Sequence, residues 1–279
     1  MLIVSTAVVQ AAPGIRRTGG FTLLELALTL VIMAMLASAM LVPFVAQVTQ
    51  RKISATERIL DQAAEALIGY ATATGRLPCP ATEVSNGAED FAATGNAFNG
   101  ICESFYGFLP AATLGFTPIN SQGFAIDGWG TDQNRIRYAV ASSTAAPPAP
   151  PNFAFTRTGG MREVRADIIA GAKLLFVCSN ASTAVAATPT CGTGAVTLTD
   201  NAPVVIWSNG ANAASGGLGA DEAQNPHPND AATPPNGSSD RIFVSRPRTD
   251  MAGNEFDDIV TWLSVGTLVS RMVLGGQLP

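Results

Sequence analysis

Gly19-Gly20-Phe21-Thr22-Leu23-Leu24-Glu25 opens a run that stays apolar as far as Val48, broken only by Thr22, Glu25, Thr29, Ser38, Pro43 and Gln47. No charge falls between Leu26 and Val42. A bilayer core takes about 20 such residues at about 1.5 Å each, so the run is long enough to span one. Arg16 and Arg17 stand ahead of it, and Arg51 and Lys52 follow. With basic residues on both flanks, charge alone orients the segment weakly. A secretory signal peptide would share the arginines and the apolar stretch, with Ala37-Ser38-Ala39 as a small-residue cleavage site. Against that reading, the hydrophobicity continues through Leu41, Val42, Phe44 and Val45, and a carboxylate sits inside the apolar region. The arginine pair also lacks the Phe-Leu context of a twin-arginine export signal.

Beyond Pro43 the pattern changes. Ile53, Ile59, Leu60, Ala63, Ala64, Leu67, Ile68 and Ala71 recur at helical steps, and Arg51, Glu57, Arg58, Asp61, Gln62 and Glu65 occupy other faces. Gly75 and Leu77-Pro78-Cys79-Pro80 end the run. The spacing predicts one helix over 21–74, a rod of about 80 Å if continuous, loosened or kinked at Pro43. Its first half suits a membrane or filament interior, and its amphipathic second half suits packing on a head domain. An independent coiled coil fits less well, because the apolar face lacks sustained heptads.

The junction resembles the type IV pilin superfamily, which includes the pseudopilins of type II secretion. The match is a basic leader ending in glycine, phenylalanine directly after it, Glu25 four residues later, and a membrane-length apolar helix. In that family a prepilin peptidase cuts after the glycine, here Gly20, and methylates the new amino terminus, here Phe21. The resemblance implies that Glu25 pairs with the terminal ammonium of a neighbouring subunit and sets axial register. The physics agrees, since an ionised side chain inside a membrane helix costs about 2.5–3.5 kcal/mol on insertion scales and usually has a partner. The leader, 1–20, is longer than many in the family, and its first ten residues are themselves apolar.

The head, 75–279, carries Cys79, Cys102, Cys178 and Cys191. Four cysteines allow three connectivities, and their spacing is unlike paired zinc ligands. In an oxidising compartment disulfides are expected, with the local pairs Cys79–Cys102 and Cys178–Cys191 favoured, each worth about 3 kcal/mol. Phe105-Tyr106-Gly107-Phe108-Leu109-Pro110 is an aromatic cluster expected to enter the core. Asp127-Gly128-Trp129-Gly130 followed by Arg135–Val140 reads as turn then strand, and resembles a turn and strand of major pseudopilins. Further strands are expected at Lys173–Cys178, Pro203–Trp207 and Arg241–Ser245, and a short closing helix before Gly275-Gly276. A Pro/Ala spacer lies near 145–151. Ser208–Asp240 is a long Asn-, Ala-, Gly- and Pro-rich loop, either a flexible excursion or a binding loop.

Val205–Gly210 and Asp257–Trp262 resemble two neighbouring segments of pseudopilin heads, a region that holds calcium in some major pseudopilins. Asn209, Asp221, Asp257 and Asp258 are the oxygen donors that resemblance brings forward, although no fixed-spacing calcium loop is present. The expectation is no cofactor and no metal, with calcium at these donors as the alternative.

Composition narrows the function classes. Of 279 residues 47% are hydrophobic and 13% charged, with formal net charge −5. The one histidine, His227, sits in Asn225-Pro226-His227-Pro228, so a histidine-based triad or metal site would rest on a loop residue. Only Lys52 and Lys173 are lysines. A broad phosphate-binding surface is not indicated, so no nucleic-acid partner is expected, and no catalytic residues emerge.

The expected fold is α+β and pilin-like: a long N-terminal helix, membrane-spanning at about 21–46, packed on an antiparallel β-sheet head. The expected function is a non-enzymatic structural subunit, minor rather than major given the large head, of a pilus or pseudopilus. Its expected place is the bacterial inner membrane with the head in the periplasm, then the filament. The expected partners are other pilin or pseudopilin subunits, prepilin peptidase and an inner-membrane assembly platform. The alternatives are a pilus-tip adhesin or substrate-binding module using the Ser208–Asp240 loop, and a membrane-tethered periplasmic hydrolase.

Overall fold

The structure, a computed structural model, describes residues 20–142, 152–163, 172–181, 191, 194–214, 219–225 and 241–278, apart from the side chains of 39–44. Arg16 and Arg17, the spacer 145–151, His227 and much of the Ser208–Asp240 loop lie outside the described residues. The chain divides into two compact units, Met1–Val48 and Thr49–Pro279.

Helix α1 runs from Leu23 to Thr74, 52 residues, with Pro43 inside it. Thr22 starts it: its carbonyl accepts from Leu26 N at 3.1 Å and its Oγ1 from Glu25 N at 3.2 Å, an N-cap that satisfies an otherwise orphaned amide. Within the first unit the polar groups turn inward on the helix itself, Thr29 Oγ1 donating to Leu26 O and Ser38 Oγ to Met35 O, both at 2.9 Å. The apolar side chains from Leu23 to Leu36 remain exposed. Among the described residues no helix is long and apolar enough to cross a membrane. The expected span at about 21–46 includes 39–44, and the stretch whose side chains are described, Leu23 to Ser38, falls short of the about 20 residues a bilayer core takes.

In the second unit α1 buries one face. Leu60, Ala63, Leu67, Ile68 and Ala71 join the main core, while Arg51, Glu57, Arg58, Asp61, Gln62 and Glu65 stay exposed. The helix ends where Gly75 takes φ +77°, its N–H donating to Ala71 O at 2.8 Å. Only glycine enters that left-handed region freely.

A four-stranded antiparallel sheet has the order β1 (Tyr106–Phe108), β2 (Arg137–Val140), β5 (Val204–Ser208), β7 (Ile259–Leu263). Every residue of β2 and β5 is buried, which is why Val204-Val205-Ile206-Trp207 reads as a continuous apolar run rather than an alternation. A second sheet has the order β4 (Thr197–Ala202), β3 (Leu175–Cys178), β6 (Ile242–Val244). It is mixed, with β3 antiparallel to β4 and parallel to β6, so the single antiparallel sheet expected from sequence is incomplete as a description. Pro203 divides β4 from β5 and thereby one sheet from the other, since proline has no N–H for a ladder. Short helices α2 (Ala111–Leu114) and α3 (Gly160–Glu163) lie in connections. α4 (Val265–Leu274) starts with Ser264 accepting from Thr267 N and buries Val265, Leu268 and Met272 in the main core.

The two disulfides join Cys79 to Cys102 and Cys178 to Cys191. Beside the first, Glu89 takes both Arg76 Nη1 and Nη2 at 2.7 Å, and Arg76 Nη2 also donates to Tyr70 Oη at 2.8 Å. This buried pair fixes the exit of α1 against the disulfide loop.

Candidate functional site

Two places carry the functional expectations. At the start of α1, a Cβ added to Gly20 would meet none of the described residues within 4 Å. Phe21 is 80% exposed. Glu25 lies in the first helical turn, where a carboxylate also favours the helix dipole. None of the described ion pairs includes it. Thr22 and Glu25 stand at the Ser/Thr-x-x-Glu spacing of a capping box, a local explanation of this carboxylate that the sequence reading did not weigh.

In the head, Glu222, Asp257 and Asp258 each bring a carboxylate oxygen within 4.8 Å of the others. Asp257 and Asp258 sit just ahead of β7, and Glu222 comes from the Ser208–Asp240 loop. Asp257 Oδ2 accepts from Ala211 N at 2.8 Å and Asn212 N at 3.2 Å. Glu222 accepts from Asn212 Nδ2 through both oxygens at 3.0 Å, and from Asp257 N at 2.9 Å. Asp258 Oδ2 accepts from Asn225 Nδ2 at 2.8 Å. Asp257 Oδ1 and Asp258 Oδ1 are buried without a hydrogen-bond donor among the described residues. Burial, reinforced by the charge of Glu222, pushes the Asp257 carboxyl up to about 6. Burial, with Glu222 and Asp257 adding to it, raises Asp258 well above the usual carboxylate range.

Behind this cluster lies a buried polar network. Asp127 Oδ2 accepts from Ser208 Oγ and, at 3.0 Å, from Asn134 Nδ2, and its Oδ1 accepts from Trp129 N at 2.8 Å. Asn134 Nδ2 also donates to Gly210 O at 2.6 Å. Gly128 N donates to Thr56 Oγ1 on α1 at 2.9 Å. Trp129 is half-buried; the tryptophan that fills the core is Trp207.

The four oxygen donors that the resemblance brings forward thus divide. Asp257 and Asp258 belong to the cluster, and Asn209 hydrogen-bonds the Asp258 carboxylate. Asp221 does not belong: it pairs with Arg246 at 2.8 Å and accepts from Ala181 N at 2.6 Å. Its neighbour Glu222 takes the place, a residue the sequence reading missed. An open cleft of about 610 Å³ adjoins that ion pair, lined in part by Ser179, Asn180 and Asn254. Arg246 is held there by Asp221 and Asn254 and lies over Phe256.

No family model, no curated protein and no solved structure matches this chain.

Proposed function

We propose that the chain is a structural subunit, a minor pilin or pseudopilin, of a type IV pilus or type II secretion pseudopilus. The observation that carries this is α1. One helix buries its second half in a head while its first part leaves Leu23, Leu24, Leu26, Leu28, Leu30 and Met33 exposed. Such a surface is costly in water and needs lipid or other subunits. In this reading the leader 1–20 is removed at Gly20 by prepilin peptidase, and the first half of α1 holds the chain in the inner membrane with the head in the periplasm. An assembly platform then moves it into the filament, where Glu25 meets a neighbour's N-methylated Phe21. N-terminal sequencing and mass of the filament-associated protein test this. The expected terminus is N-methyl-Phe21; a terminus at Met40, after Ala37-Ser38-Ala39, would leave an ordinary secreted protein.

The carboxylate cluster favours a second element, a calcium ion in the head. The fit rests on the two buried oxygens of Asp257 and Asp258 that have no donor among the described residues, since hard oxygen donors suit this cation. Glu222, Asp257 and Asp258 would hold it. Bound there, the ion would neutralise their mutual repulsion. The chain's own part is to carry the loop around Glu222 against the start of β7, through Asn212 and the 257 amide.

A further inference from the structure

We infer that Asp127 is a positioning residue linking the carboxylate cluster to α1, so that a divalent cation on the cluster also stiffens the contact between the 127–130 turn and Thr56. The inference rests on the cation reading above and extends it to a second place in the head.

The linkage is a run of hydrogen bonds, partly exposed at the cluster end and buried around Asp127, Asn134 and Ser208. At the cluster end, the amides of Ala211 and Asn212 both donate to Asp257 Oδ2. Gly210, with φ +63°, fits so closely that a Cβ would lie 2.5 Å from Asp257 O and from its Oδ1. The 210–212 backbone is therefore packed closely against Asp257. Gly210 O is gripped by Asn134, and Gly210 N donates to Ser208 Oγ at 3.2 Å. Asn134 and Ser208 both converge on Asp127 Oδ2.

At the α1 end the same carboxylate fixes the turn through Trp129 N. Gly128 then donates to Thr56 Oγ1, whose own hydroxyl donates to Lys52 O at 3.0 Å. A Cβ at Gly128 would stand 2.3 Å from Lys52 O. Thr56, Asp127, Asn134 and Ser208 are each no more than 5% exposed, so water offers few substitute partners if a link breaks. Among the described residues Asp127 joins the Ser208 and Asn134 side of the run to the 127–130 turn. The linkage requires two arrangements of the 209–212 segment, the one seen, with the 211 and 212 amides on Asp257, and one released from it. A cation biases it toward the held arrangement, and coupling needs such an element.

Hydrogen–deuterium exchange of the purified full chain in detergent, with calcium chloride or with EDTA, tests this. In the natural chain calcium is expected to slow exchange by about five- to 150-fold in three places: 255–260, the 127–130 turn and α1 around 52–60. Thr56→Val keeps shape but removes the acceptor for Gly128, and should retain the slowing at 255–260 while losing it on α1. Asp127→Asn should lose it at both the turn and α1. Absence of slowing at 255–260 in the natural chain would overturn the cation reading and this inference with it. Slowing at 255–260 without slowing on α1, or equal slowing on α1 in Thr56→Val, would overturn the linkage alone.

Discussion

Asp257→Asn should stabilise the head when calcium is removed and destabilise it, relative to the natural chain, when calcium is present. The carboxyl of Asp257 is raised from 3.8 to about 6, by burial first and by Glu222 as the leading charge that adds to it. A shift of that size corresponds to about 3 kcal/mol, and the residue's partial exposure reduces the realistic figure to about 1–2 kcal/mol. The folded chain binds this proton more tightly than the unfolded chain does. The associated stability is therefore fully present below 3.8 and is lost as pH rises through about 6. At pH about 7.5 the natural chain carries the whole penalty, and asparagine removes it while keeping an acceptor for the 211 and 212 amides. Thermal unfolding in EDTA at that pH should give the variant a Tm about 2–8 °C higher, and at pH about 4 most of that difference should vanish. Calcium should reverse the order, because a ligand at about 100 times its Kd adds about 2.7 kcal/mol to the chain that binds it. A variant less stable in EDTA at pH about 7.5, an offset independent of pH, or equal calcium stabilisation of both chains would refute the reasoning.

Two further outcomes are expected. Glu89→Ala removes the carboxylate that balances the Arg76 guanidinium, whose side chain is only 6% exposed, and should cost about 3–5 kcal/mol, read as a shifted midpoint with unchanged slope in urea unfolding. Glu25→Gln should leave membrane insertion and cleavage intact yet sharply reduce the subunit recovered in sheared filaments; undiminished recovery would remove the charge-pairing role.

The elements visible in the sequence were those with a one-dimensional signature. The second half of α1 declared itself by Leu60, Ala63, Leu67 and Ala71, the last turn of the chain by Gly275-Gly276, and β5 by its unbroken apolar run. β4 did not, because Thr197-Leu198-Thr199-Asp200-Asn201-Ala202 is an edge strand whose exposed face tolerates polar residues. The parallel pairing of β3 with β6 was invisible for a different reason. It depends on a crossover through β4 and β5, and no local pattern encodes which distant strand will pair. The local cysteine pairs followed from spacing, but the cluster was only half legible. Asp257 and Asp258 are brought forward only by the resemblance of Asp257–Trp262 to pseudopilin heads, whereas the choice of Glu222 over Asp221 is made by the loop backbone and by Arg246, which takes Asp221 away.

Glu25 shows where local structure and function can be separated. Thr22 accepts from the Glu25 amide, and the Thr-x-x-Glu spacing suits a capping box. If capping were the whole role, glutamine would serve equally, because the motif accepts either side chain. Glutamine would also avoid the cost of placing a charge in an apolar environment. The helix dipole returns only about 0.3–1 kcal/mol to a carboxylate near its start, less than the about 2.5–3.5 kcal/mol that insertion scales assign to a charge at the centre of a membrane helix. Close to the interface that cost shrinks, so the dipole could balance it in an isolated subunit. In a filament interior it could not, and a cation from outside the chain becomes necessary. Arg51, the nearest basic residue that follows, is more than six helical turns away. Glu25→Gln therefore holds the cap constant and changes only the charge, which makes filament incorporation of that variant the measurement that decides between the two roles.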